Sequence, residues 1–365
     1  MESAHRRNIF ILVVLILTGY LLRLYNLGFA CFWTEEEYSA LMSLRDPLQI
    51  YFTVISAEFN PPGFYFLEYL SRVLLGYNEW SLRIPSLIAG VLLIPAMYCV
   101  GREFKDEITG LLCASLVASS YALVYYSQFA RAYSLSLLFF SLSLLYYLKI
   151  RKGDTHYHHY IFLGIFIGLS AWVHFYSLIP LSLLVLILLI KDPAFRDSRR
   201  GYHTVCVAAV ITLPLLPQLF TLIQGRVFAP GAAPYGLSAH DLLFILPIEF
   251  FSSAHLVFAL LIMVGIYIEW KRPYLNELLV IGVVTVIIGL LASAVTPIYA
   301  RYLLYVLLIL FLASASFLSE VLKGKSDLVI IISVLLFTTV ILAMCSGDFI
   351  SHYTIQQYVC SYLQG

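Results

Sequence analysis

The chain alternates long apolar stretches with short polar segments from near its first residue to about residue 345. A helix that spans a bilayer needs roughly 20 predominantly apolar residues, and stretches near that length recur along the chain. The pattern predicts an all-α membrane protein with about 11 transmembrane helices, at residues 8–25, 84–101, 109–127, 132–149, 158–174, 175–191, 202–224, 254–270, 275–296, 301–318 and 327–345.

Composition agrees with this pattern. The chain has 365 residues, of which 61% are hydrophobic and only 12% are charged. Soluble domains are about 45–50% apolar and about 25% charged. Once the helices are placed, no length remains for a sizeable soluble domain, so residues 1–365 form one integral membrane domain in contact with membrane lipids. The net charge of +1 and the lack of a basic, aromatic-interleaved patch exclude a nucleic-acid partner.

The basic residues sort to one side of the membrane. With the N-terminus in the cytoplasm, cytoplasmic segments hold 15 of the 22 lysines and arginines, including every lysine. The other seven are all arginines in or next to external segments. Because lysine and arginine accumulate on the cytoplasmic side, the opposite orientation is rejected. We therefore predict a multi-pass protein of the cell membrane with a cytoplasmic N-terminus and an extracytoplasmic active face.

This orientation leaves two large external loops, at residues 26–83 and 225–253. Residues 61–77 are apolar enough to cross, but a crossing there would invert every later loop. Glu68 and Arg72 stand four residues apart in this segment, and we predict an ion pair between them at the membrane surface. The first loop is therefore expected to carry amphipathic juxtamembrane helices that lie on the membrane.

Three adjacent carboxylates, Glu35, Glu36 and Glu37, open a polar segment in the first loop. One interpretation is structural, since Thr34 and Glu37 have the spacing of a helix capping box. The other adds an active site, because repulsion and desolvation beside an apolar surface tune a carboxylate toward proton transfer. We favour the second interpretation.

Two lone arginines fall at external helix ends. Arg131 lies in a tyrosine-rich corner, where its partner is Glu35, Glu36 or a bound phosphate, with snorkelling to the interface as the alternative. Arg301 has no acid near it in sequence, so a distant acid or an anionic ligand must compensate it. Both are candidates for binding an anion.

Further candidates flank these arginines. Asn60 precedes a Pro-Pro-Gly turn that otherwise serves to start a helix, and His174 lies at another external corner, where plain packing is the alternative. Six cysteines show no metal-ligand spacing. We favour free thiols, with a Cys31–Cys360 disulfide on the oxidising side as the alternative. Acids, arginines, a histidine and aromatic helix ends on one face indicate a site for an anionic, lipid-anchored molecule.

Six short segments resemble, in order, motifs of the C-superfamily polytopic glycosyltransferases, especially the protein O-mannosyltransferases and aminoarabinose transferases. Each motif is short, but all six fall on the predicted outer side or at its edge. The segments are Phe32 to Ala40 with its Glu35-Glu36 pair, Asn60-Pro61-Pro62-Gly63, Arg83-Ile84-Pro85-Ser86 with Gly90, Ser127 to Tyr133, Val173-His174-Phe175, and Pro297 to Tyr302.

The resemblance implies transfer of a sugar from a polyprenyl-phosphate donor to a hydroxyl of a protein, lipid or glycan, with inversion, outside the cytoplasm. By position, Glu35 takes the role of general base and Glu36 a supporting one. It also implies a catalytic module at residues 1–190 and variable C-terminal helices at 191–365. The substrate-binding residues carried over are Arg131, Tyr133, Asn60, His174, Arg301 and Tyr302.

The chain departs from the family pattern in three places. Glu35 replaces the usual Asp, Asn60 replaces His, and Ser136 stands where mannosyltransferases place a second Asp. We predict no metal ligands and no cofactor, although a divalent metal stays open because some relatives use one. The alternatives are a transporter or flippase for a lipid-linked or anionic solute, which should show paired broken helices, and a non-enzymatic scaffold.

Overall fold

The structure of the chain is a computed structural model, and it describes residues 2–227, 250, 252–293 and 298–351. All regular elements among these residues are helices, so the predicted all-α class is confirmed. Most of the predicted loop 225–253 lies outside the described residues.

The described residues contain 17 α-helices. In chain order they are α1 Glu2–Leu24, α2 Thr34–Ser43, α3 Pro47–Ala57, α4 Gly63–Leu75, α5 Glu79–Phe104, α6 Glu107–Ser119, α7 Tyr121–Ser127, α8 Tyr133–Arg151, α9 Tyr157–Val173, α10 Leu178–Lys191, α11 Pro193–Arg196, α12 Arg199–Thr212, α13 Leu216–Leu222, α14 His255–Glu269, α15 Leu275–Ser293, α16 Leu304–Leu322 and α17 Asp327–Met344. Short 3₁₀ turns precede α10, α13, α14 and α16.

Every predicted span coincides with a helix or a pair of helices. Within the described ranges, seven helices are long and apolar enough to cross a membrane. The pair α6 and α7 adds an eighth if it counts as one span, bent by 60° where Ser120 takes an extended conformation. The helices α9, α10 and α14 are shorter than this test requires. The chain is therefore a multi-pass membrane protein, while the count of 11 stays a prediction.

Helices α2, α3 and α4 fill the predicted first loop between α1 and α5. With 13 residues, α4 is about 20 Å long, too short for a hydrocarbon core of about 30 Å. Exposed apolar side chains line one side of α3 and α4, among them Leu48, Phe52, Val73 and Leu74. Both helices therefore suit a position on the membrane surface.

The predicted ion pair between Glu68 and Arg72 does not form. Arg72 donates from Nε to the carbonyl of Ser43 at 2.8 Å, and its guanidinium lies over the Tyr69 ring. Glu68 instead belongs to the buried stripe of α4 and is fully buried. The prediction was wrong because it placed both side chains at the interface, whereas α4 packs this face against α2 and α5.

Close packing at Gly90 brings α5 against α7. A Cβ at this position would lie 2.0 Å from the Ser127 hydroxyl oxygen, so a larger residue would force the two helices apart. Along its length α5 also contacts α1, α6 and α8, which places it in the centre of the bundle. The Gly90 motif therefore has a packing role.

Ion pairs mark the two ends of the bundle. At one end Lys105 contacts Glu269 at 3.2 Å and Glu320 at 2.8 Å, and we call this the lysine end. Helix α16 runs from just after Arg301 to just after Glu320, and its 19 residues span about 28 Å. Arg301 contacts Glu35, so we call the opposite end the Glu35 end. These two ends are separated by about the thickness of a bilayer core.

A buried ion pair fixes α2 to the start of α5. Both carboxylate oxygens of Glu36 accept hydrogen bonds from Arg83, each at 2.8 Å, and both side chains are at most 2% exposed. Glu36 also accepts from the backbone N–H of Trp33 at 3.1 Å and of Ala130 at 2.7 Å. Glu36, not the predicted Glu37, thus caps α2.

Arg83 binds the chain that leads into α2 as well. Its guanidinium donates to the carbonyls of Leu27 and Ala30, both at 2.9 Å, and to that of Cys31 at 3.1 Å. Bidentate pairing of this kind is geometrically specific. The pair therefore sets where the preceding residue, Glu35, is presented.

Removing either charge of this buried pair should destabilise the protein. We expect Arg83→Met to lower the free energy of unfolding by about 3–5 kcal/mol, because it leaves Glu36 buried without its cation. The measurement is thermal unfolding in detergent. Asp197→Asn, which breaks an exposed pair with Arg196, is the control and should melt like the wild type. Equal melting of Arg83→Met and this control would contradict an anchoring role.

Candidate active site

Glu35 and Arg301 form an ion pair at the Glu35 end. Oε1 of Glu35 lies 2.5 Å from Nη2 of Arg301. The carboxylate comes from the first turn of α2, and the guanidinium comes from the 3₁₀ turn Ala300–Leu303 before α16. A distant acid therefore compensates Arg301, which is one of the two alternatives that the sequence left open.

The pair leaves unused hydrogen-bonding capacity. Oε2 of Glu35 and Nε of Arg301 are buried and have no hydrogen-bond partner among the described residues. Buried polar atoms of this kind are uncommon in native proteins and often mark a site that meets a ligand or water. Both free atoms lie in the pair that joins α2 to α16.

Three tyrosines surround the guanidinium of Arg301. Its central carbon lies 4.2 Å from the ring centre of Tyr299, 5.8 Å from that of Tyr133 and 5.9 Å from that of Tyr302. Aromatic faces attract a cation and keep water from it. The arrangement holds Arg301 in place without a second acid among these contacts.

Arg131 approaches the same carboxylate from the α7–α8 corner. Its Nη1 donates to the backbone carbonyl of Glu35 at 3.2 Å and to the hydroxyl of Ser39 at 3.1 Å. A hydrogen bond fixes the corner to α5, since the Ser86 hydroxyl of that helix donates to the carbonyl of Arg131 at 2.9 Å. Two arginines thus converge on Glu35, one on its side chain and one on its backbone.

His174 closes the inner side of this group. It is buried at the end of α9, and its ring lies 5.0 Å from Tyr302 and 5.9 Å from Tyr133. Nδ1 lies 3.4 Å from the hydroxyl of Tyr305.

A narrow cleft runs between these elements. Its free volume is about 10 Å³, which is room for about one water molecule and not for a sugar. Asn60 lines it, and its carbonyl accepts from Gln218 at 3.1 Å. The cleft is therefore closed in this structure. The lining residues are Ser39, Asn60, Pro61, Phe64, Tyr65, Arg131, Ala132, Tyr133 and His174.

All predicted site residues except one gather around this cleft or the adjoining ion pair. The exception is Glu36, which points away into its pair with Arg83. Sequence reasoning missed three contributors: Arg83 as the partner of Glu36, and Tyr299 and Ser39 as contacts of the two site arginines. Tyr299 and Ser39 stand within four residues of a predicted site residue, which was the signal available.

Cys31 is disulfide-bonded, so the favoured free thiol was wrong at this position. The predicted partner, Cys360, lies outside the described residues. Cys99, Cys113, Cys206 and Cys345 are free.

A separate cluster lies between α8 and α9. Asp154 contacts Nδ1 of His156 at 2.5 Å and Nε2 of His159 at 2.8 Å. The ligand atoms of the three residues lie within 4.8 Å of one another, the spacing that a metal ion requires of its ligands. Sequence analysis missed this Asp-x-His-x-x-His spacing because it searched around the cysteines. A divalent metal is therefore plausible for this chain.

Comparison with known families gives a match for part of the chain. Residues 60–219 match the family model of dolichyl-phosphate-mannose-protein mannosyltransferases. The match includes Asn60, Arg131, Tyr133 and His174, but neither Glu35 nor Arg301. No curated protein matches the sequence.

The matches to solved structures cover more of the chain than the family model does. ArnT from Cupriavidus metallidurans, bound to undecaprenyl phosphate, has a TM-score of 0.65 and 15% identity over 84% of this chain. The Archaeoglobus fulgidus oligosaccharyltransferase, tethered to an acceptor peptide, has a TM-score of 0.65 and 16% identity over 94%. A complex of the same enzyme with Zn and sulfate has a TM-score of 0.64 and 16% identity over 93%.

This chain spans only part of those proteins, covering 60% of ArnT and 53–55% of the oligosaccharyltransferase. At this level of identity the likeness establishes the fold. The chain therefore shares its fold with ArnT and the Archaeoglobus fulgidus oligosaccharyltransferase, and residues 60–219 resemble the dolichyl-phosphate-mannose-protein mannosyltransferases.

Proposed function

We propose that the protein is a membrane glycosyltransferase that transfers a sugar from a polyprenyl-phosphate donor to a hydroxyl acceptor on the extracytoplasmic face, with inversion. The observation that carries the proposal is the contact of the Glu35 carboxylate with the Arg301 guanidinium, with Arg131 beside it. A carboxylate and two arginines at one membrane face supply a base and an anion-binding site together. ArnT holds undecaprenyl phosphate in its structure, and the oligosaccharyltransferase holds dolichol-phosphate in another.

Glu35 is the general base in this proposal. Its free Oε2 accepts the proton of the acceptor hydroxyl while the acceptor oxygen attacks the anomeric carbon. The bond from that carbon to the phosphate oxygen breaks on the opposite face of the sugar, which inverts the configuration. The leaving lipid phosphate takes the bonding electrons, and Arg301 and Arg131 stabilise its charge.

The closed structure links base activation to donor binding. In this structure the carboxylate of Glu35 is paired with the guanidinium of Arg301, and the cleft has no room for a sugar. The donor is a phosphodiester with one negative charge shared by two free oxygens, and it competes with the carboxylate for the same guanidinium. When it takes Arg301, it releases Glu35 for proton transfer. The base is thus free only when a donor is bound.

The other predicted residues orient the substrates. The tyrosines at 133 and 302 keep water from Arg301, and the buried imidazole of His174 lies against both of their rings. Asn60 lines the cleft. Glu36 supports the site indirectly, since its pair with Arg83 fixes the backbone of Glu35.

Transport is the weaker alternative. A transporter is expected to contain paired broken helices around a midplane site. In the described part of the chain one broken pair, α6 and α7, occurs. The charged cleft residues lie at a helix end rather than at mid-depth, which favours surface chemistry over passage.

The division into a module at residues 1–190 and variable helices at 191–365 belongs to the same proposal, with Arg301 and Tyr302 supplied by the second part. We place the N-terminus and the lysine end in the cytoplasm. Positive-inside sorting supports this orientation, and so does the disulfide at Cys31, because disulfides persist in oxidising compartments.

A divalent metal, where the protein uses one, belongs at Asp154, His156 and His159 in this proposal, away from the transfer step. Two imidazole nitrogens and a carboxylate oxygen are suitable ligands for Zn²⁺ and leave a position for water. The cluster adjoins Lys152, which pairs with Glu103 near the lysine end. Such an ion would tie the α8–α9 turn together.

The Glu35→Gln substitution should change lipid-phosphate binding and sugar transfer in opposite directions. We expect transfer to fall by about 10²–10⁴-fold, the usual contribution of a general base. Binding of undecaprenyl phosphate should become tighter, because Arg301 no longer contacts a carboxylate. Transfer is assayed with a panel of undecaprenyl-phosphate sugars, and binding by calorimetry in nanodiscs.

Glu37→Gln, at the exposed neighbouring carboxylate, is the matched control and should leave both quantities unchanged. Near-normal transfer by Glu35→Gln would remove its role as base. Weaker lipid binding would contradict the exchange of anions on Arg301.

Labelling of single cysteines tests the orientation. Gln49→Cys on α3 should react with a membrane-impermeant maleimide on intact cells, whereas Lys325→Cys should react only after the membrane is opened. Both positions are exposed. The unmodified protein measures the background from native thiols. The reverse result would invert the topology.

Metal binding is tested with Zn²⁺ on the detergent-solubilised protein. We expect the wild type to bind the ion by calorimetry and the triple variant Asp154→Asn, His156→Ala, His159→Ala to lose that binding. His158→Ala, in the same turn but outside the cluster, should retain it. Equal binding by the triple variant and the wild type would refute the site.

A further inference from the structure

Helix α4 carries two buried polar side chains that the protein does not satisfy. Glu68 is fully buried and Tyr65 is 2% exposed. Both carboxyl oxygens of Glu68 and the hydroxyl of Tyr65 lack a hydrogen-bond partner among the described residues. Native proteins seldom leave such groups unpaired, so each requires an explanation.

A contribution to folding stability does not explain the unpaired polar groups of Glu68 and Tyr65. Arg72, the basic residue one turn away, donates to the carbonyl of Ser43. Tyr65 packs in an apolar cluster with Met42, Ile50 and Val54, where its hydroxyl gains nothing. A buried polar group without a partner destabilises the folded state. Leucine and phenylalanine would serve packing better at these positions.

Their location points to the candidate active site. Tyr65 lines the closed cleft together with Arg131 and His174. Glu68 lies three residues further along α4, on the same helix face. The charged groups whose fields act on Glu68 are Arg131, which lines the cleft, and Glu36, which is paired with Arg83.

The environment of Glu68 favours its neutral form. Burial raises its pKa well above the usual range, and the opposing effect of Arg131 is smaller. A neutral carboxyl offers one O–H donor and an acceptor oxygen, and a phenol offers one of each as well. The pair therefore presents hydrogen-bond donors and acceptors beside Arg131, which suits an anion.

Building on the proposed glycosyl transfer, we propose that Tyr65 and Glu68 form the subsite that recognises the hydroxyl groups of the donor sugar. Sugar hydroxyls both donate and accept hydrogen bonds, which matches this pair, whereas the phosphate matches Arg131 and Arg301. The sugar reaches the pair when the cleft between α4 and the Arg131 corner opens. A site with buried groups awaiting a hydroxyl discriminates strongly against ligands that lack it.

Binding of lipids with and without a sugar tests the subsite. The probes are undecaprenyl phosphate and its mannose, glucose and aminoarabinose conjugates, titrated into the full chain in nanodiscs. We expect the wild type to bind at least one conjugate at least about tenfold more tightly than the bare lipid. Glu68→Leu and Tyr65→Phe should bind the bare lipid as the wild type does and lose this tenfold gain.

Two controls separate recognition from structure. Glu37→Gln and Tyr77→Phe, at exposed positions of the same region, should keep the gain in binding. Glu68→Gln should keep part of it, because the amide also offers a donor and an acceptor. Glu68→Leu should melt at or above the wild-type temperature, since it removes an unpaired buried group.

Each outcome has one interpretation. Wild-type protein that binds the bare lipid but prefers no conjugate would overturn the subsite, as would a Glu68→Leu variant that melts lower and keeps the gain. Wild-type protein that neither binds undecaprenyl phosphate nor transfers sugar would overturn the glycosyltransferase itself. Normal transfer with unchanged gains in both variants would reject only the subsite.

Discussion

The bidentate pair of Glu36 with Arg83 is the contact on which the site depends. It joins the first turn of α2 to the central helix α5. The Glu36 carboxylate accepts two hydrogen bonds from Arg83 and one each from the backbone N–H groups of Trp33 and Ala130, which together fix the side chain in position. Adjacent residues of a helix point in different directions, so locking Glu36 inward turns Glu35 outward toward Arg301. One acid thus holds the helix and its neighbour faces the cleft.

Sequence patterns predicted the helices well, but they predicted only some of the side-chain contacts between helices. The apolar stretches are helical among the described residues because a long apolar segment favours a helix in a membrane. Of the two compensations expected for Arg301, the distant acid is present, whereas Arg131 contacts the backbone of Glu35. The partner of Arg301 could not be read from sequence, since Glu35 lies 266 positions away. The environment of Glu68 was misjudged because spacing shows which residues share a helix face but not what that face meets.

The site as a whole was predictable only as a set of candidates. Motifs brought Glu35, Arg131, His174 and Arg301 to one side of the membrane, but they could not show that Glu36 faces away or that the cleft is closed. Both facts depend on how α2 and α4 dock, which follows from tertiary packing. The histidine cluster at Asp154 was visible in the sequence and was overlooked.

The contact between Glu35 and Arg301 also bears on biosynthesis. The acid is translated 266 residues before its cation. A nascent chain that has inserted its first helices therefore carries the acid without its counterion. Catalytic competence, under the proposed mechanism, is delayed until the late helices enter the membrane and dock.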